Sequence, residues 1–253
     1  MIQLEDLHKS FENKEVLKGI STIFETGKTN LIIGQSGSGK TVLLKCVIGL
    51  LEPDLGDIIY DDRRLASMDK KERTLLRSEL GMLFQGSALF DSMTIQNNVL
   101  FPLRMFSELS DSDKVKRAKY CLDRVGLNDT YSLYPAEISG GMQKRAAIAR
   151  AIALNPKYLF CDEPNSGLDP LTSIKIDELI MDITQEYEMT TVINTHDMNS
   201  VVTMGENIIF IHQGEKEWEG NTEELFHSKN QKLNEFVFAS KFFQKATDKI
   251  FKE

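Results

Sequence analysis

The 253-residue chain has no long apolar run, and no segment approaches the roughly 18 apolar residues typical of a membrane-spanning helix. Its first residues lack a basic region followed by an apolar segment, so we expect no secretory signal. Cysteine is scarce: Cys46, Cys121 and Cys161 are odd in number and widely spaced, which excludes a disulfide framework and a cysteine metal site. Their apolar neighbours predict three reduced, buried thiols in a cytoplasmic protein.

The sequence has fewer positively than negatively charged residues. It also has no internal repeat and no low-complexity segment. Lysine and arginine total 30 against 38 aspartates and glutamates, which gives a net charge of −8. Because binding to a nucleic-acid backbone usually needs a basic surface, we expect no nucleic-acid partner. The content of 41% hydrophobic and 27% charged residues is typical of a soluble globular protein.

The most informative segment is glycine-rich and reads Gly34-Gln35-Ser36-Gly37-Ser38-Gly39-Lys40-Thr41. It fits the phosphate-loop pattern G-x-x-x-x-G-K-[ST], follows an apolar run at 29–33 and precedes a predicted helix over 42–50 that Val42 opens. Backbone N–H groups of such a loop point at phosphate oxygens, and the helix start adds a positive dipole end. Lys40 would reach the terminal phosphates and Thr41 would hold Mg²⁺. We therefore predict a nucleoside triphosphate site.

Strand and helix patterns alternate along the chain, which predicts an α/β fold with a mainly parallel sheet. Turns are predicted at 9–13 and 53–57, and only helices between about 86 and 155, so a helical subdomain is inserted between strand-rich parts. Predicted strands cover 2–4, 16–24, 29–33, 58–60, 81–84, 158–163, 190–194, 208–212 and 216–219. Predicted helices cover 42–50, 68–78, 94–104, 110–125 and 139–154, with others after Asp169, after His196 and to the end of the chain.

A second glycine pair opens the helix predicted at 139–154, in the stretch Ile138-Ser139-Gly140-Gly141-Met142-Gln143-Lys144-Arg145. With Ser139 as N-cap, the free N–H groups of Gly140 and Gly141 would form another anion site at a positive helix end. A plain serine cap with incidental glycines would give the same pattern.

Four further residues, at the ends of three predicted strands, carry groups suited to phosphate chemistry. Asp162 and Glu163 end an apolar strand, where the first could hold Mg²⁺ and the second could polarise an attacking water. Gln85 and His196 also follow predicted strands. Taken singly, each has an ordinary structural reading: a surface acid pair, a polar strand end, a capping histidine.

Taken in order, these elements resemble the ATP-binding-cassette ATPase family over about residues 1 to 225, and Ser166-Gly167-Leu168-Asp169 adds a further match. The resemblance implies a RecA-like P-loop NTPase core, an N-terminal antiparallel β subdomain and an inserted helical signature subdomain. It implies that Phe11 stacks on adenine, that Asp162 binds Mg²⁺ and that Glu163 is the catalytic base. His196 would contact the γ-phosphate, and Gln85 would sense Mg²⁺ and face the membrane partner.

The resemblance also implies a homodimer in which each ATP lies between the phosphate loop of one copy and Ser139, Gly140 and Gly141 of the other, beside Asp169. Met142 departs from the usual signature Leu-Ser-Gly-Gly-Gln, and a thioether cannot make the hydrogen bonds of an amide. The contacts of Ser139 and of the glycine backbone do not depend on that side chain.

The Ser-Gly-Gly-Met form and the stretch at 84–94 resemble one subgroup more closely, the Mla/Mce-type lipid-transport ATPases. That subgroup implies a membrane permease, a lipid-shuttle protein with an Mce domain, and a position on the cytoplasmic face of the inner membrane. Ala88-Leu89-Phe90 fits either subdomain core or permease contact, and Asn97 stands where an acidic residue is common.

Other cassette functions remain open at this point. A cassette for amino acids, metals or lipoprotein release shares these motifs. An ATPase of iron–sulfur assembly is less compatible with the residues after Gln85. A DNA-repair or chromosome cassette would carry a long coiled coil or paired cysteines between the two glycine elements, and this chain has neither.

We expect a cassette domain over 1–228 and a helical tail over 229–253. Phe238, Phe242, Phe243, Ala246 and Ile250 recur at steps of three and four, with Lys241, Lys245 and Lys249 on another face. Such a helix could dock on its own subunit, steady the dimer by reaching the other copy, or bind a membrane surface.

Overall fold

The structure, a computed structural model, describes residues 1–12 and 14–239. Within these ranges the chain forms two sheets and a set of helices. The strands are β1 (Ile2–Phe11), β2 (Lys14–Phe24), β3 (Thr29–Ile33), β4 (Leu55–Tyr60), β5 (Arg63–Arg64), β6 (Leu80–Leu83), β7 (Tyr158–Asp162), β8 (Thr190–Asn194), β9 (Asn207–His212) and β10 (Glu215–Gly220). The helices are α1 (Lys40–Val47), α2 (Lys70–Ser78), α3 (Ile95–Phe106), α4 (Asp111–Arg124), α5 (Gly140–Ala151), α6 (Pro170–Glu186), α7 (Met198–Met204), α8 (Thr222–His227) and α9 (Gln231–Val237).

The first sheet is antiparallel, in the order β2-β1-β4-β5. Ile2 pairs with Phe24 on one side and with Tyr60 on the other. All three side chains are buried in a core that also contains Leu43 and Leu44 of α1. The alternating pattern of β1 and β2 therefore places one face of this sheet over α1, and the predicted N-terminal antiparallel part of the fold is confirmed.

The second sheet has the order β10-β9-β3-β8-β7-β6 and is parallel except for β10. All five residues of β3 and of β8 are buried, as expected for central strands covered on both faces. The predicted α/β fold with a mainly parallel sheet is confirmed. In such sheets, ligands bind outside the carboxyl ends of the strands. The phosphate loop, Gln85, Glu163 and His196 all follow such ends.

Helices α3, α4 and α5 lie between β6 and β7 in the chain and share one core with β7 and α6. Residues 86–155 contain no strand, as predicted. Thr94 and Ser110 cap α3 and α4. The Ser110 hydroxyl accepts a hydrogen bond from the Asp113 N–H at 3.2 Å and donates one to the Asp113 carboxylate at 2.7 Å. Asp113, three residues after the N-cap, therefore bonds the side chain of Ser110.

Several predicted boundaries were wrong by a few residues. Strand β1 runs through the predicted turn to Phe11, where it still pairs with Lys14. Helix α1 ends at Val47 because Gly49 takes a left-handed conformation, with φ 71°, and stops it before Leu50. Strand β4 begins at Leu55, inside the turn predicted at 53–57.

The C-terminal part is helical as far as it is described, through α8 and α9. The predicted tail helix falls mostly on residues 240–253, which lie outside the described residues.

The three cysteines are buried and unpaired, as predicted. Burial raises the pKa of the Cys46 and Cys121 thiols to about 11. None of the helices within 1–12 and 14–239 combines the length and apolar character needed to cross a membrane.

Candidate nucleotide site

The phosphate loop closes on its own lysine. Lys40 Nζ donates to the carbonyl oxygens of Gly34 at 2.8 Å and Gln35 at 3.1 Å. Lys40 is 7% exposed, and this burial lowers the pKa of its ammonium group, while the nearby carboxylates of Glu163 and Asp162 oppose that shift. A cation held here by two carbonyl oxygens is available to an incoming phosphate, which is a stronger acceptor.

Two positions of the loop require glycine. Gly34 has φ 149°, and a Cβ there would lie 2.2 Å from the backbone oxygen of Ile211 in β9. Gly39, with φ 109°, is the N-cap of α1. Between them, the buried hydroxyl of Ser38 has no hydrogen-bond partner among the described residues. Buried hydroxyl groups seldom lack a hydrogen-bond partner, and a bound anion would supply one for Ser38.

One amide joins two of the three predicted metal residues, Thr41 and Asp162; the third, Gln85, is not among its partners. Asn194 Nδ2, at the end of β8, donates to Asp162 Oδ1 at 2.5 Å and to Thr41 Oγ1 at 3.3 Å. A hydroxyl and a carboxylate oxygen brought together are the ligand types that Mg²⁺ prefers. The residues present therefore fit Mg²⁺. Sequence reasoning missed Asn194, although a polar residue ending a buried apolar strand was the available signal.

Glu163 and His196 form a direct pair. His196 Nδ1 lies 2.8 Å from Glu163 Oε1. The Glu163 N–H donates to the carbonyl oxygen of Asn194 at 2.9 Å, and Glu163 takes a positive φ of 49°. Such a backbone conformation in a glutamate persists only where its surroundings hold it. The His196 side chain is 67% exposed while that of Glu163 is 16% exposed, so the histidine forms the outer side of the pair.

Gln85 lies at the same edge of the sheet, and its side chain donates to Ser166 Oγ at 3.2 Å. Its carbonyl oxygen accepts a hydrogen bond from Lys144 of α5, which is 3% exposed. Burial lowers the pKa of Lys144, against the attraction of Cys161, Asp162 and Glu163. Lys144 thus links α5, the helix that the Ser-Gly-Gly element opens, to the residues that follow β6. It was quoted in the sequence pattern without a role.

Most of the predicted site residues line one cleft of about 800 Å³, which we call the phosphate-loop cleft, although Asp162 is not among its lining residues. Its lining includes most of the predicted loop residues together with Val42, Gln85, Glu163 and His196. Five lining residues were not predicted: Val16, Met198, Phe236, Val237 and Ala239.

Phe11, the predicted adenine contact, lies at the end of β1, is 42% exposed and is not among the residues lining this cleft. Its ring has Lys9 Nζ at 5.7 Å from the centroid. The adenine role of Phe11 stays a prediction.

The second glycine element faces a separate cleft of about 490 Å³, which we call the signature cleft. Ser139, Gly140, Gly141 and Met142 line it together with Asp169. Ser139 caps α5 by accepting from the Met142 N–H at 3.3 Å, and Asp169 caps α6 by accepting from the Thr172 N–H at 3.0 Å. Asp169 therefore lies with the signature residues, away from the phosphate loop of its own chain.

A glycine-rich loop of this pattern between a parallel strand and a helix defines a P-loop NTPase fold. A model of the family "ABC transporter" matches residues 17–166, and the chain belongs to that family as one of its ATPase cassettes. It is 39% identical over 207 residues to the "Probable ribonucleotide transport ATP-binding protein mkl" of Mycobacterium bovis, covering 82% of this chain and 58% of that protein. It is 36% identical to the "Methionine import ATP-binding protein MetN" of Clostridioides difficile, covering 94% of this chain and 74% of the relative.

Solved structures agree with this assignment. A dimeric ATP-binding cassette in a post-hydrolysis state with ADP and Pi aligns with a TM-score of 0.79 at 33% identity, over 88% of this chain and 99% of that one. cbiO1 from Clostridium perfringens, part of an ABC transporter complex, aligns with a TM-score of 0.82 at 29% identity, over 92% and 94%.

Proposed function

We propose that the protein hydrolyses ATP as the nucleotide-binding subunit of a membrane transporter and works as a dimer of two copies. The observation that carries this proposal is the convergence of Lys40, Thr41, Glu163 and His196 on one cleft. The signature residues face another cleft of the same chain, so a complete site would need two copies. A cassette of this family solved as a dimer with ADP and Pi supports that arrangement.

The roles of the side chains follow from their positions. Lys40 would exchange its two carbonyl partners for the terminal phosphates, and Thr41 and Asp162 would hold Mg²⁺. When bound, Mg²⁺ offsets phosphate charge. Glu163 would accept a proton from water as the water oxygen bonds to the γ-phosphorus and the bond to the bridging oxygen breaks, giving ADP and phosphate. His196, bound to Glu163 Oε1, would keep that carboxylate in place.

Glu163→Gln tests the catalytic assignment. The amide cannot accept the proton, so hydrolysis should fall by about 10² to 10⁴. ATP binding should persist because Lys40 and Thr41 are untouched, and the ATP-bound dimer should accumulate. Phosphate release and size-exclusion chromatography with and without ATP measure both effects. Hydrolysis at the wild-type rate would remove Glu163 from the mechanism.

For the cargo, we propose lipid, with phospholipid as the leading class. The support is the resemblance of the Ser-Gly-Gly-Met element and the 84–94 stretch to the Mla/Mce-type ATPases. A permease, a lipid-shuttle protein with an Mce domain and attachment to the cytoplasmic face of the inner membrane belong to the same proposal. Methionine import is the second candidate, because the relative named for it matches 94% of this chain.

The cargo is tested with the complex purified from its native membrane through a tag on this subunit. Reconstituted in phospholipid vesicles, it should move labelled phospholipid when ATP is supplied, and the Glu163→Gln complex should not. Labelled methionine is offered in a parallel sample. Methionine movement without lipid movement would replace the lipid proposal with the import one.

A further inference from the structure

A buried carboxylate joins the two loops that carry Glu163 and His196. Asp177 is 2% exposed and lies on the inner face of α6 beside buried Ile176. Its Oδ1 accepts from Asn165 Nδ2 at 2.7 Å, and its Oδ2 accepts from Ser200 Oγ at 2.8 Å. Asn165 Nδ2 also donates to Ser200 Oγ at 2.9 Å. The three side chains thus form a closed hydrogen-bonded ring among buried atoms.

The ring spans the two catalytic loops. Asn165 stands two residues after Glu163, in the loop between β7 and α6, and Ser200 stands four residues after His196, in α7. A cleft of about 450 Å³ between the loops is lined by Glu163, Asn165 and His196 among others. From α6, which belongs to neither loop, Asp177 bonds Asn165 in the first loop and Ser200 in α7, which follows the second loop.

A carboxylate is a costly choice for a site that only needs filling. Moving an ionised carboxylate from water into the protein interior costs free energy. Apolar residues of similar volume at such a site often give a protein of equal stability. Both carboxylate oxygens of Asp177 are hydrogen-bonded, while Asn165 Oδ1 has no hydrogen-bond partner among the described residues. Directional hydrogen bonds between buried polar groups fix one geometry where apolar contacts tolerate several. The ring therefore favours a defined spacing of the two loops over maximal stability.

We propose that Asp177 is a positioning residue that holds the loops of Glu163 and His196 at their catalytic spacing by accepting hydrogen bonds from Asn165 in the first loop and from Ser200 in α7, which follows the second. The inference rests on the proposed role of Glu163 in hydrolysis. Asp177 itself touches no substrate group: it acts through its two partners.

The test compares the steady-state kinetics of full-length variants. Asp177→Ala and Ser200→Ala should each lower kcat by about tenfold or more, because small displacements of reacting groups are costly. KM for ATP should stay within about twofold, since the phosphate loop is not a member of the ring. Asp177→Asn keeps an oxygen for Asn165 and offers an N–H to Ser200, so it should recover most of the kcat. Asp177→Ala leaves the direct bond from Asn165 to Ser200, and the double variant Asp177→Ala/Ser200→Ala removes that bond as well. The double variant should therefore be slower than Asp177→Ala, but by less than the product of the two single losses, since the three side chains act as one ring.

Thr184→Val is the matched control. Thr184 is buried in the same helix and bonds Thr191 Oγ1 at 2.6 Å, so the variant removes a buried hydrogen bond away from the loops. It should lower Tm and leave kcat unchanged. If kcat falls in Thr184→Val as it does in Asp177→Ala, the ring is structural only and the inference is wrong. If Asp177→Ala does not fold, the kcat of Ser200→Ala takes its place in the comparison with Thr184→Val, and Asp177→Asn should still retain most of the wild-type kcat.

Glu163→Gln runs in the same assay and separates the two proposals. A normal rate in Glu163→Gln overturns the proposed function. An inactive Glu163→Gln beside a normal rate in both Asp177→Ala and Ser200→Ala overturns the positioning role alone.

Discussion

Burial raises the pKa of Asp177 to about 6, and the carboxylates of Asp197 and Glu178 add to the rise, against the hydrogen bonds from Ser200 and Asn165. Cys161 of β7 is near enough that the Asp177 carboxylate adds to the rise that burial causes in the pKa of the Cys161 thiol. The native pKa of Asp177 exceeds the ordinary value of 3.8. Between about pH 4 and 6, Asp177 therefore keeps its proton in the native state but has lost it in the unfolded chain. The folded protein therefore loses stability as pH rises through this window, and the loss stays constant above it.

Asp177→Asn removes this titration. Relative to wild type, the variant should gain about 1 kcal/mol in the free energy of unfolding between pH 5 and pH 8, most of it below pH 7. Urea unfolding at four pH values measures the difference. Thr184→Val removes no titratable group, so its difference from wild type should be the same at each pH. A pH-independent difference for Asp177→Asn would show that this carboxyl titrates normally.

At the scale of single residues, sequence reasoning reached the groups that belong to contiguous patterns. Lys40, Thr41, Asp162 and Glu163 could be predicted because loop and strand-end chemistry is local. The contacts of Asn194 could not be predicted, because its partners Thr41 and Asp162 are 153 and 32 positions away in sequence. A pattern along the chain cannot express a contact that exists only after the strands have been ordered in the sheet.

Asp177 shows a signal that was present and was not used. Its neighbours Ile176, Ile180 and Ile183 recur at helical spacing on the buried face of α6. An acid on such a face must find partners or change protonation. The pattern could have marked Asp177 as a buried carboxyl, but the partners Asn165 and Ser200 could be known only from the fold.

At the scale of elements, most strands and helices could be predicted because periodicity and caps are local properties. The errors concentrate at ends: β1 extends through a predicted turn because β2 pairs with it as far as Lys14. Tertiary pairing decides such boundaries. The division of the two glycine elements between different clefts likewise depends on the packing of α5 against α6, which no local pattern shows.

The phosphate loop packs against β9 at Gly34 but not at Gly37, and this contrast gives a matched pair of variants. In Gly34→Ala the new Cβ would meet the Ile211 carbonyl at 2.2 Å, while in Gly37→Ala nothing lies within 4 Å and only the left-handed φ of 79° is strained. We expect a loss of about 1–2 kcal/mol for Gly37→Ala. Gly34→Ala should lose more than about 3 kcal/mol, because a backbone atom of a central sheet cannot move aside.

Urea unfolding without nucleotide measures both values, so ligand binding does not enter the comparison. Equal losses in the two variants would mean that the loop can shift away from β9. The close approach at Gly34 would then be relieved at little cost.

At the scale of the whole molecule, the separation of the two clefts predicts that sites are shared between copies. Lys40→Ala should disable the phosphate-loop side, and Ser139→Arg should block the signature side with a bulky cation at an exposed helix start. Each variant alone should be inactive. In a mixed dimer, one site combines the intact loop of the Ser139→Arg copy with the intact signature of the Lys40→Ala copy, so hydrolysis should partly return.

The alternative arrangement predicts the opposite result. If each chain used its own signature element on its own nucleotide, neither chain in the mixture would hold an intact site, and no activity would return. The two variants are co-expressed with different tags, and the mixed dimer is purified through both. A chain carrying both substitutions, paired with Ser139→Arg, is the control: it supplies no intact signature element, so it should stay inactive in either arrangement. Recovery in the first pairing only would show that the phosphate loop at 34–41 is half of a site that the second copy completes.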